Sequence, residues 1–354
     1  MTPLVSILIP TLDRPRYLRE AIEAALAQTY RNLQVLVFDN GALEETRAVV
    51  ERAAARDTRV IFRRHPRNLG MSANFNALAD AARGEFVVAI GDDDRLLPEF
   101  VSHLIEAMRP GVRVAFSNQY LINAEGRRLE EESRAYNRQY GREALPAGLV
   151  ANPQAAAWRQ SIPMSASLLR TADMQRLRFR EDLNTPDAEF FIRLAQEGAQ
   201  LHFLPEYLME YRVHPDAVTV GGLWSEQLVD CLSPLEVSSE IEPYKRRFLT
   251  PMVVNAVSRC LQQGNMEMAR KLLQNRYYPR RRLSGGGETE ANSSIAAGLA
   301  IRPEPGKYRL RDSLTSLLQS FCANLPASIG ASLYRAVRRV SPHSLSQRRG
   351  LLSE

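Results

Sequence analysis

The chain has 354 residues, of which 45% are hydrophobic and 24% are charged, with 46 Lys or Arg against 40 Asp or Glu. This composition is typical of a folded globular protein, and the length predicts one large domain with a smaller appended region. Three widely spaced cysteines exclude a disulfide framework and a CxxC metal site, and no apolar run has the length of a signal sequence or a membrane span. We therefore expect a cytoplasmic protein.

The positive charge is concentrated at the end of the chain. Residues 276–354 contain 13 Lys or Arg and 5 Asp or Glu, so the first 275 residues carry a net charge of −2. The near-neutral body argues against a nucleic-acid partner. The basic tail fits contact with an anionic surface and fits a solubilising role equally well.

Short β-branched runs alternate with helical periodicity over the first 110 residues, which predicts an α/β fold with a mostly parallel sheet flanked by helices. The predicted strands are residues 5–9, 33–38, 60–64, 86–90 and 112–117. Helical stripes of apolar residues occupy 18–26 and 101–108 between them. Residues 118–163 carry no regular pattern, and we predict an acceptor-facing loop there.

The second half of the chain is mainly helical in pattern. A predicted helix around residues 190–195 leads into a short strand at 200–204, and two later apolar stripes predict a helical hairpin. We predict a domain over residues 1–245, with halves 1–117 and 118–245, followed by the hairpin at 246–278. A flexible basic linker at 279–309 and an amphipathic helical tail at 310–354 complete the prediction.

Three consecutive aspartates, Asp92, Asp93 and Asp94, follow the predicted strand at 86–90. Adjacent carboxylates repel one another unless a hard cation neutralises them, so we predict a Mg²⁺ or Mn²⁺ site that takes further ligands from phosphate oxygens. The alternative is that Asp94 caps the following helix. The turn at residues 10–15 has no glycine, which excludes a dinucleotide-binding loop and a P-loop.

Four segments occur in a fixed order: SILIPTLDRPRYLREAI, QTYRNLQVLVFDNGA, RNLGMSANFNAL and GEFVVAIGDDDRLLPE. Together they resemble glycosyltransferase family two, the inverting GT-A type found in bacterial polysaccharide synthesis, over residues 4–215. The resemblance implies a GT-A fold with a C-terminal helical extension. It also implies metal-dependent transfer of a hexosyl or deoxyhexosyl group from a nucleoside-diphosphate-sugar to a hydroxyl of a glycan or lipid-linked glycan.

The resemblance also implies where the donor binds. The loop after the first strand and the acid after the second would hold the nucleobase and ribose, although Asp39 has the alternative role of a turn residue. The segment 68–76 would face the diphosphate, with Phe75 in place of the arginine of many members. The implied substrate-binding residues are Pro10, Thr11, Asp13, Asp39, Asn68, Asn74, Asn76, Asp92, Asp93 and Arg212.

The implied metal ligands are Asp94, Asp92 and His214, and the implied cofactor is Mg²⁺ or Mn²⁺. Gly91 stands where many members have the first aspartate of the motif, so the choice between Asp92 and Asp93 as the partner of Asp94 stays open. His214 has the alternative role of an ordinary hydrogen-bonded loop residue.

Asp187 is the implied catalytic base, with Pro186 in place of the glutamate that usually precedes it. An inverting transfer needs a carboxylate opposite the leaving diphosphate to accept the proton of the acceptor hydroxyl. The alternative is that Asp187 only stabilises the start of a helix through the helix dipole.

The sequence is also consistent with two other functions. One is a non-catalytic assembly subunit that binds a nucleotide-sugar or glycan, and the other is phosphoryl or nucleotidyl transfer at the acidic cluster. For the tail we predict peripheral association with an anionic membrane at the inner face of the plasma membrane, because arginines flank its apolar stripes. A homodimer formed through the same stripes is the alternative.

Overall fold

The computed structural model describes residues 2–183, 186–214 and 226–279. The described residues up to Tyr278 form one compact unit, and a second unit begins at Pro279. Residues 280–354, which include most of the predicted basic linker and the whole amphipathic tail, lie outside the described residues. Among the described helices, none combines the length and apolar character needed to cross a membrane.

Strands and helices alternate along the first unit. The described strands are β1 (Val5–Thr11), β2 (Leu33–Asp39), β3 (Val60–Arg64), β4 (Phe86–Ala89), β5 (Arg95–Leu96), β6 (Val112–Ile122), β7 (Gly148–Leu149), β8 (Ser167–Arg170) and β9 (Gln200–Arg212). The described α-helices are α1 (Pro15–Leu26), α2 (Glu44–Arg56), α3 (Met71–Ala81), α4 (Phe100–Ala107), α5 (Glu130–Gln139), α6 (Pro153–Trp158), α7 (Thr171–Leu177), α8 (Pro186–Gln196), α9 (Glu226–Leu232), α10 (Glu242–Gln262) and α11 (Met266–Leu273).

The strands form one mixed sheet in the order β3-β2-β1-β4-β8-β6-β9-β5, with β7 beside β9. The pairs among β1 to β4 are parallel, as predicted. Strand β8 runs antiparallel to both of its neighbours, so the second half of the sheet departs from a mostly parallel arrangement. The carboxyl ends of β1, β2 and β4 therefore meet at one edge, where ligands bind in open α/β sheets.

Both faces of the sheet are covered by helices because the central strands are apolar on both sides. In β1, the side chains of Val5, Ile7 and Ile9 belong to one core with α1, α2 and α4. Leu8 points to the other core, which includes residues of α3, α6 and α8. The run of buried residues thus fixes β1 at the centre of the molecule.

Two strands extend beyond their predicted ends. Strand β6 continues to Ile122 and β9 to Arg212, and the two pair in parallel with register shifts near Asn118. The segment predicted to be irregular contains helices α5 and α6. The predicted helical hairpin is present as α10 and α11, and its apolar residues Leu249, Met252 and Leu272 lie in the same core as α8.

Candidate functional site

A cleft of about 370 Å³ opens at the carboxyl ends of β1 and β4. Eight residues predicted to act in the site line it: Pro10, Thr11, Asn68, Asn74, Asp92, Asp93, Asp94 and Asp187. Residues from the loop after β1, the start of α3, the loop after β4 and the start of α8 therefore face one space. The cleft is also lined by Arg14, Met164, Ser165 and Tyr211, which no sequence pattern predicted as site residues.

Asp92 faces the loop after β1. Its carboxylate accepts hydrogen bonds from the Thr11 hydroxyl at 2.7 Å and from the Leu12 backbone N–H at 3.4 Å, and Arg14 lies 3.3 Å away. Burial, followed by the negative charge of Asp93, raises the pKa of Asp92 to about 6. Ionisation of Asp92 therefore costs more free energy in the folded protein than it does for an aspartate in water.

Asp93 lies between two cationic or potentially cationic side chains. Its Oδ2 atom is 2.9 Å from Arg14 Nη1 and 3.0 Å from His214 Nε2. His214 is buried, and its ring also packs against Tyr17. Asp93, which lines the cleft, and His214, 121 residues further along the chain, are thus brought together.

Asp94 is the most buried carboxylate of the three, with 1% of its surface exposed. Its Oδ1 atom accepts the backbone N–H of Arg212 at 3.0 Å. Burial and the neighbouring charge of Asp93 raise its pKa well above the ordinary aspartate value. The helix-cap alternative is wrong, because α4 begins at Phe100 after Glu99 and has no side-chain cap.

Arg212 lies beneath the acidic cluster rather than in the cleft. Its Nε donates to the Asp93 carbonyl oxygen at 2.8 Å, and its Nη2 pairs with Glu20 at 2.6 Å. Its Nη1 donates to the carbonyl oxygens of Asn123 and Ala124. The guanidinium thus joins the acidic cluster to α1 and to the turn after β6, and the buried ion pair with Glu20 holds it there.

Two acids predicted to contact the nucleoside have partners within the protein. Asp39 is fully buried and forms an ion pair with Arg64 at 2.9 Å. Asp13 has a left-handed backbone, with φ of 54°, and accepts the Leu43 N–H at 3.1 Å. Both side chains join the loops that follow β1, β2 and β3, and neither lines the cleft.

The three predicted asparagines are used differently. Asn68 accepts the backbone N–H of Gly70 at the mouth of the cleft. Asn74 donates to the Phe38 carbonyl at 2.9 Å and lines the cleft. Asn76 is buried outside the cleft, where it donates to the Phe179 carbonyl and accepts the Phe179 N–H.

Asp187 lies in the first turn of α8 and is partly exposed to the cleft. Desolvation raises its pKa above the ordinary aspartate value, and backbone N–H groups at the helix start offset part of that rise. A carboxylate with a raised pKa is a stronger proton acceptor once ionised. The helix-start role and the catalytic role are therefore compatible for this residue.

The residues present fit a hard divalent cation. Carboxylate oxygens crowd one end of the cleft, an imidazole nitrogen lies beside them, and Arg14 already supplies positive charge there. Among the described residues, no three His, Cys, Asp or Glu side chains form a closed ligand set. Mg²⁺ needs no such set where one or two carboxylates and substrate phosphates supply its ligands.

We expect Asp92→Asn to stabilise the protein at neutral pH in the presence of a chelator. Because the folded-state pKa is raised, the stabilisation from the bound proton is complete below the ordinary aspartate pKa of 3.8 and is lost as the pH rises to about 6. The gain at pH 7.5 should approach about 3 kcal/mol and should vanish near pH 3, about one unit below the ordinary aspartate pKa. Urea unfolding at both pH values measures it, and Asp182→Asn, at an exposed carboxylate paired with Arg180, should show no gain.

Comparison with known proteins relates the chain to one enzyme family. Residues 6–162 match the family model for glycosyl transferase family 2. The chain carries a family 2 glycosyltransferase domain. This glycosyltransferase is 25% identical to an uncharacterized glycosyltransferase of Methanocaldococcus jannaschii over 60% of its own chain and 71% of that protein.

A second relative is named for a specific reaction. The glycosyltransferase is 26% identical to the GalNAc(5)-diNAcBac-PP-undecaprenol beta-1,3-glucosyltransferase of Campylobacter jejuni, over 62% of its own chain and 68% of that protein. Among solved structures, a mannosyltransferase of Pyrobaculum calidifontis with GDP-Man and Mn²⁺ matches 92% of the chain and 86% of its own, with a TM-score of 0.56 at 14% identity. The predicted GT-A fold is thus confirmed.

Proposed function

We propose that this glycosyltransferase moves a sugar from a nucleoside-diphosphate-sugar to a hydroxyl of a glycan or lipid-linked glycan, with inversion and with a divalent metal. One observation carries the proposal: Asp187 and the acidic cluster line the same cleft. A base for the acceptor hydroxyl and a site for a diphosphate are thus adjacent to one another. Inverting transfer requires that combination.

For the metal we propose Asp93 and His214 as the protein ligands. Their side chains are 3.0 Å apart, whereas Asp94 Oδ1 already accepts the backbone N–H of Arg212. Asp94 and Asp92 would then hold the loop after β4 in position through their contacts with neighbouring residues. The bound metal would neutralise the charge that develops on the leaving diphosphate. The Mn²⁺ bound to the P. calidifontis mannosyltransferase supports a divalent ion here.

For the nucleoside we propose the loop after β1. The Thr11 hydroxyl is held by Asp92, and Pro10 and Thr11 form one wall of the cleft. Asp13 and Asp39 brace the neighbouring loops by the contacts described above, so they shape this wall from behind. Asn68 and Asn74 lie along the side of the cleft next to α3.

A panel of sugar nucleotides tests the function. Thermal shifts with UDP-, GDP- and dTDP-sugars, each with Mn²⁺ or with a chelator, should show one nucleotide whose stabilisation depends on the metal. Release of the nucleoside diphosphate in the presence of acceptor should follow for that donor. Metal-dependent binding without transfer would instead support the non-catalytic subunit, and stabilisation by nucleoside triphosphates alone would support nucleotidyl transfer.

We also propose that the acceptor is presented at an anionic membrane surface. The name of the C. jejuni relative includes a PP-undecaprenol acceptor, and the basic tail of this chain suits a membrane interface. The full chain should float with vesicles containing phosphatidylglycerol, and a chain ending at Pro279 should not. Flotation of neither chain, with a dimeric full-length protein in solution, would support the dimer instead.

We expect Gly91→Ala to weaken metal binding while the fold persists. An added Cβ at Gly91 would lie 2.5 Å from Asp93 Oδ1, so the flexible carboxylate must rotate away. The affinity for Mn²⁺, measured by titration, should fall about 10- to 100-fold. Gly84→Ala is the contrast, because its Cβ would meet backbone atoms of Leu4 and Ser6 at 2.7 Å and should lower the melting temperature instead.

A further inference from the structure

A second cavity, of about 170 Å³, adjoins the cleft at Asp187. Met164, Ser165, Asp187 and Tyr211 line both spaces. By the measure at which one water needs 10–15 Å³, the cavity has room for on the order of ten water molecules. It therefore suits a group of about the size of one sugar ring, next to the proposed base.

The far wall of this cavity carries a buried arginine. Arg142 is 1% exposed, and its Nε donates to Asn137 Oδ1 at 2.7 Å. Its Nη1 makes a long contact of 3.4 Å with the Ser161 carbonyl, and its Nη2 has no hydrogen-bond partner among the described residues. None of the ion pairs between described residues includes Arg142. A buried cation in this state is costly, and burial lowers the pKa of Arg142.

An acceptor atom without a partner among the described residues belongs to Gln119, which lines the same cavity. The backbone N–H of Gln119 donates to Asn137 Oδ1, the same atom that accepts Arg142 Nε. Asn137 thus places Gln119 and Arg142 side by side. The side-chain Oε1 of Gln119 is buried and has no partner among the described residues. A ligand that offers both an anionic group and a hydroxyl would satisfy both side chains.

Aromatic rings form the remaining wall. The rings of Tyr136 and Tyr140 are 4.8 Å apart, and Tyr211 stacks on Tyr136 at 6.3 Å. The Arg142 guanidinium lies 5.6 Å and 5.4 Å from the first two rings. Aromatic faces with a few convergent polar groups are typical of sites that hold an organic ligand in one orientation.

We propose that this cavity binds an acceptor sugar that carries a carboxylate, that is, a uronic acid. The carboxylate pairs with Arg142, a ring hydroxyl donates to Gln119 Oε1, and the ring lies against the tyrosines. The reactive hydroxyl then faces Asp187. The inference rests on the proposed function and adds the class of the acceptor to it.

Binding of simple glycosides to the full-length protein tests the proposal. Affinities for methyl β-glucuronide, methyl β-glucoside and glucose 6-phosphate are measured by titration calorimetry or ligand-observed NMR. A charge-assisted pair predicts that the glucuronide binds about tenfold or more tightly than the glucoside. Equal affinities would overturn the proposal, and tighter binding of glucose 6-phosphate than of the glucuronide would overturn the assignment to a carboxylate.

Three variants test which residues cause the preference for the glucuronide over the glucoside. Arg142→Met should remove it, and Gln119→Glu, which keeps the shape of the side chain, should remove it by supplying a competing carboxylate. Arg138→Met changes an exposed arginine of α5, close to Arg142 in the chain, and should leave the preference intact. A preference that survives in folded Gln119→Glu and Arg142→Met proteins would overturn the proposal.

The probes bind without a donor, so the two proposals can fail separately. A protein that prefers the glucuronide but transfers no sugar from any donor would sink the proposed function and leave this inference standing. A protein that transfers sugar but binds the glucuronide and the glucoside equally would overturn this inference and leave the proposed function standing.

Discussion

Asp187→Asn should reduce sugar transfer by about 10²- to 10⁴-fold while donor binding persists, because general-base catalysis contributes that much to proton-transfer reactions. The asparagine keeps the size of the side chain but cannot accept the proton of the acceptor hydroxyl. Because Asp187 is at the start of α8 and its pKa is raised by burial, the neutral substitution should not destabilise the fold. Rates of nucleoside-diphosphate release at saturating donor measure the loss, with thermal melting as the test of folding.

The dependence on pH separates a base from a structural residue. Transfer requires the ionised carboxylate, so kcat/KM should fall as the pH decreases through the pKa of Asp187, at a pH above the ordinary aspartate value. Asp182→Asn, at an exposed carboxylate five residues before Asp187, is the matched control and should keep the rate and the pH profile. Full activity in Asp187→Asn would remove Asp187 from the mechanism.

Asp93→Asn should weaken Mn²⁺ binding and reduce metal-dependent transfer by about 10²-fold or more, the loss typical when one group that stabilises developing charge is removed. His214→Gln should act in the same direction, because its ring nitrogen lies 3.0 Å from Asp93 Oδ2. Direct titration of Mn²⁺ in the presence of the nucleoside diphosphate measures the affinity without relying on turnover.

Asp94→Asn is the matched comparison for the metal site. Burial raises the pKa of Asp94, and an asparagine oxygen can still accept the Arg212 N–H, so we expect the fold to survive this change. Its effect on Mn²⁺ affinity should be smaller than that of Asp93→Asn. The opposite ranking would return the metal to Asp94, the residue that the family resemblance implies.

The sequence predicted the positions of β1, β2 and β4 well because their apolar runs are buried on both faces. It did not predict the full length of β9, since Pro205 and Glu206 interrupt the apolar pattern and the pairing with β6 shifts register nearby. The hairpin of α10 and α11 was visible as apolar stripes. Periodicity reveals which face is buried, but it does not reveal which neighbour covers that face.

The side-chain contacts of the acidic cluster likewise could not be predicted from the sequence. Its location followed from three aspartates after a strand, but the direction of each carboxylate depends on distant partners. Asp92 is oriented by Thr11, whereas His214 and Arg14 face Asp93. Arg142 and Gln119 come from a stretch without a recognisable pattern, and only the tertiary contact through Asn137 brings them together.

The ion pairs of Arg14 with Asp92 and Asp93 have a consequence for the order in which ligands bind. A divalent ion that arrives alone must compete with this guanidinium for the same oxygens. A diphosphate that arrives with the ion offers the displaced guanidinium a new anionic partner. If the proposed function holds, binding of the metal and binding of the donor should therefore be cooperative, and by linkage each should tighten the other by the same factor.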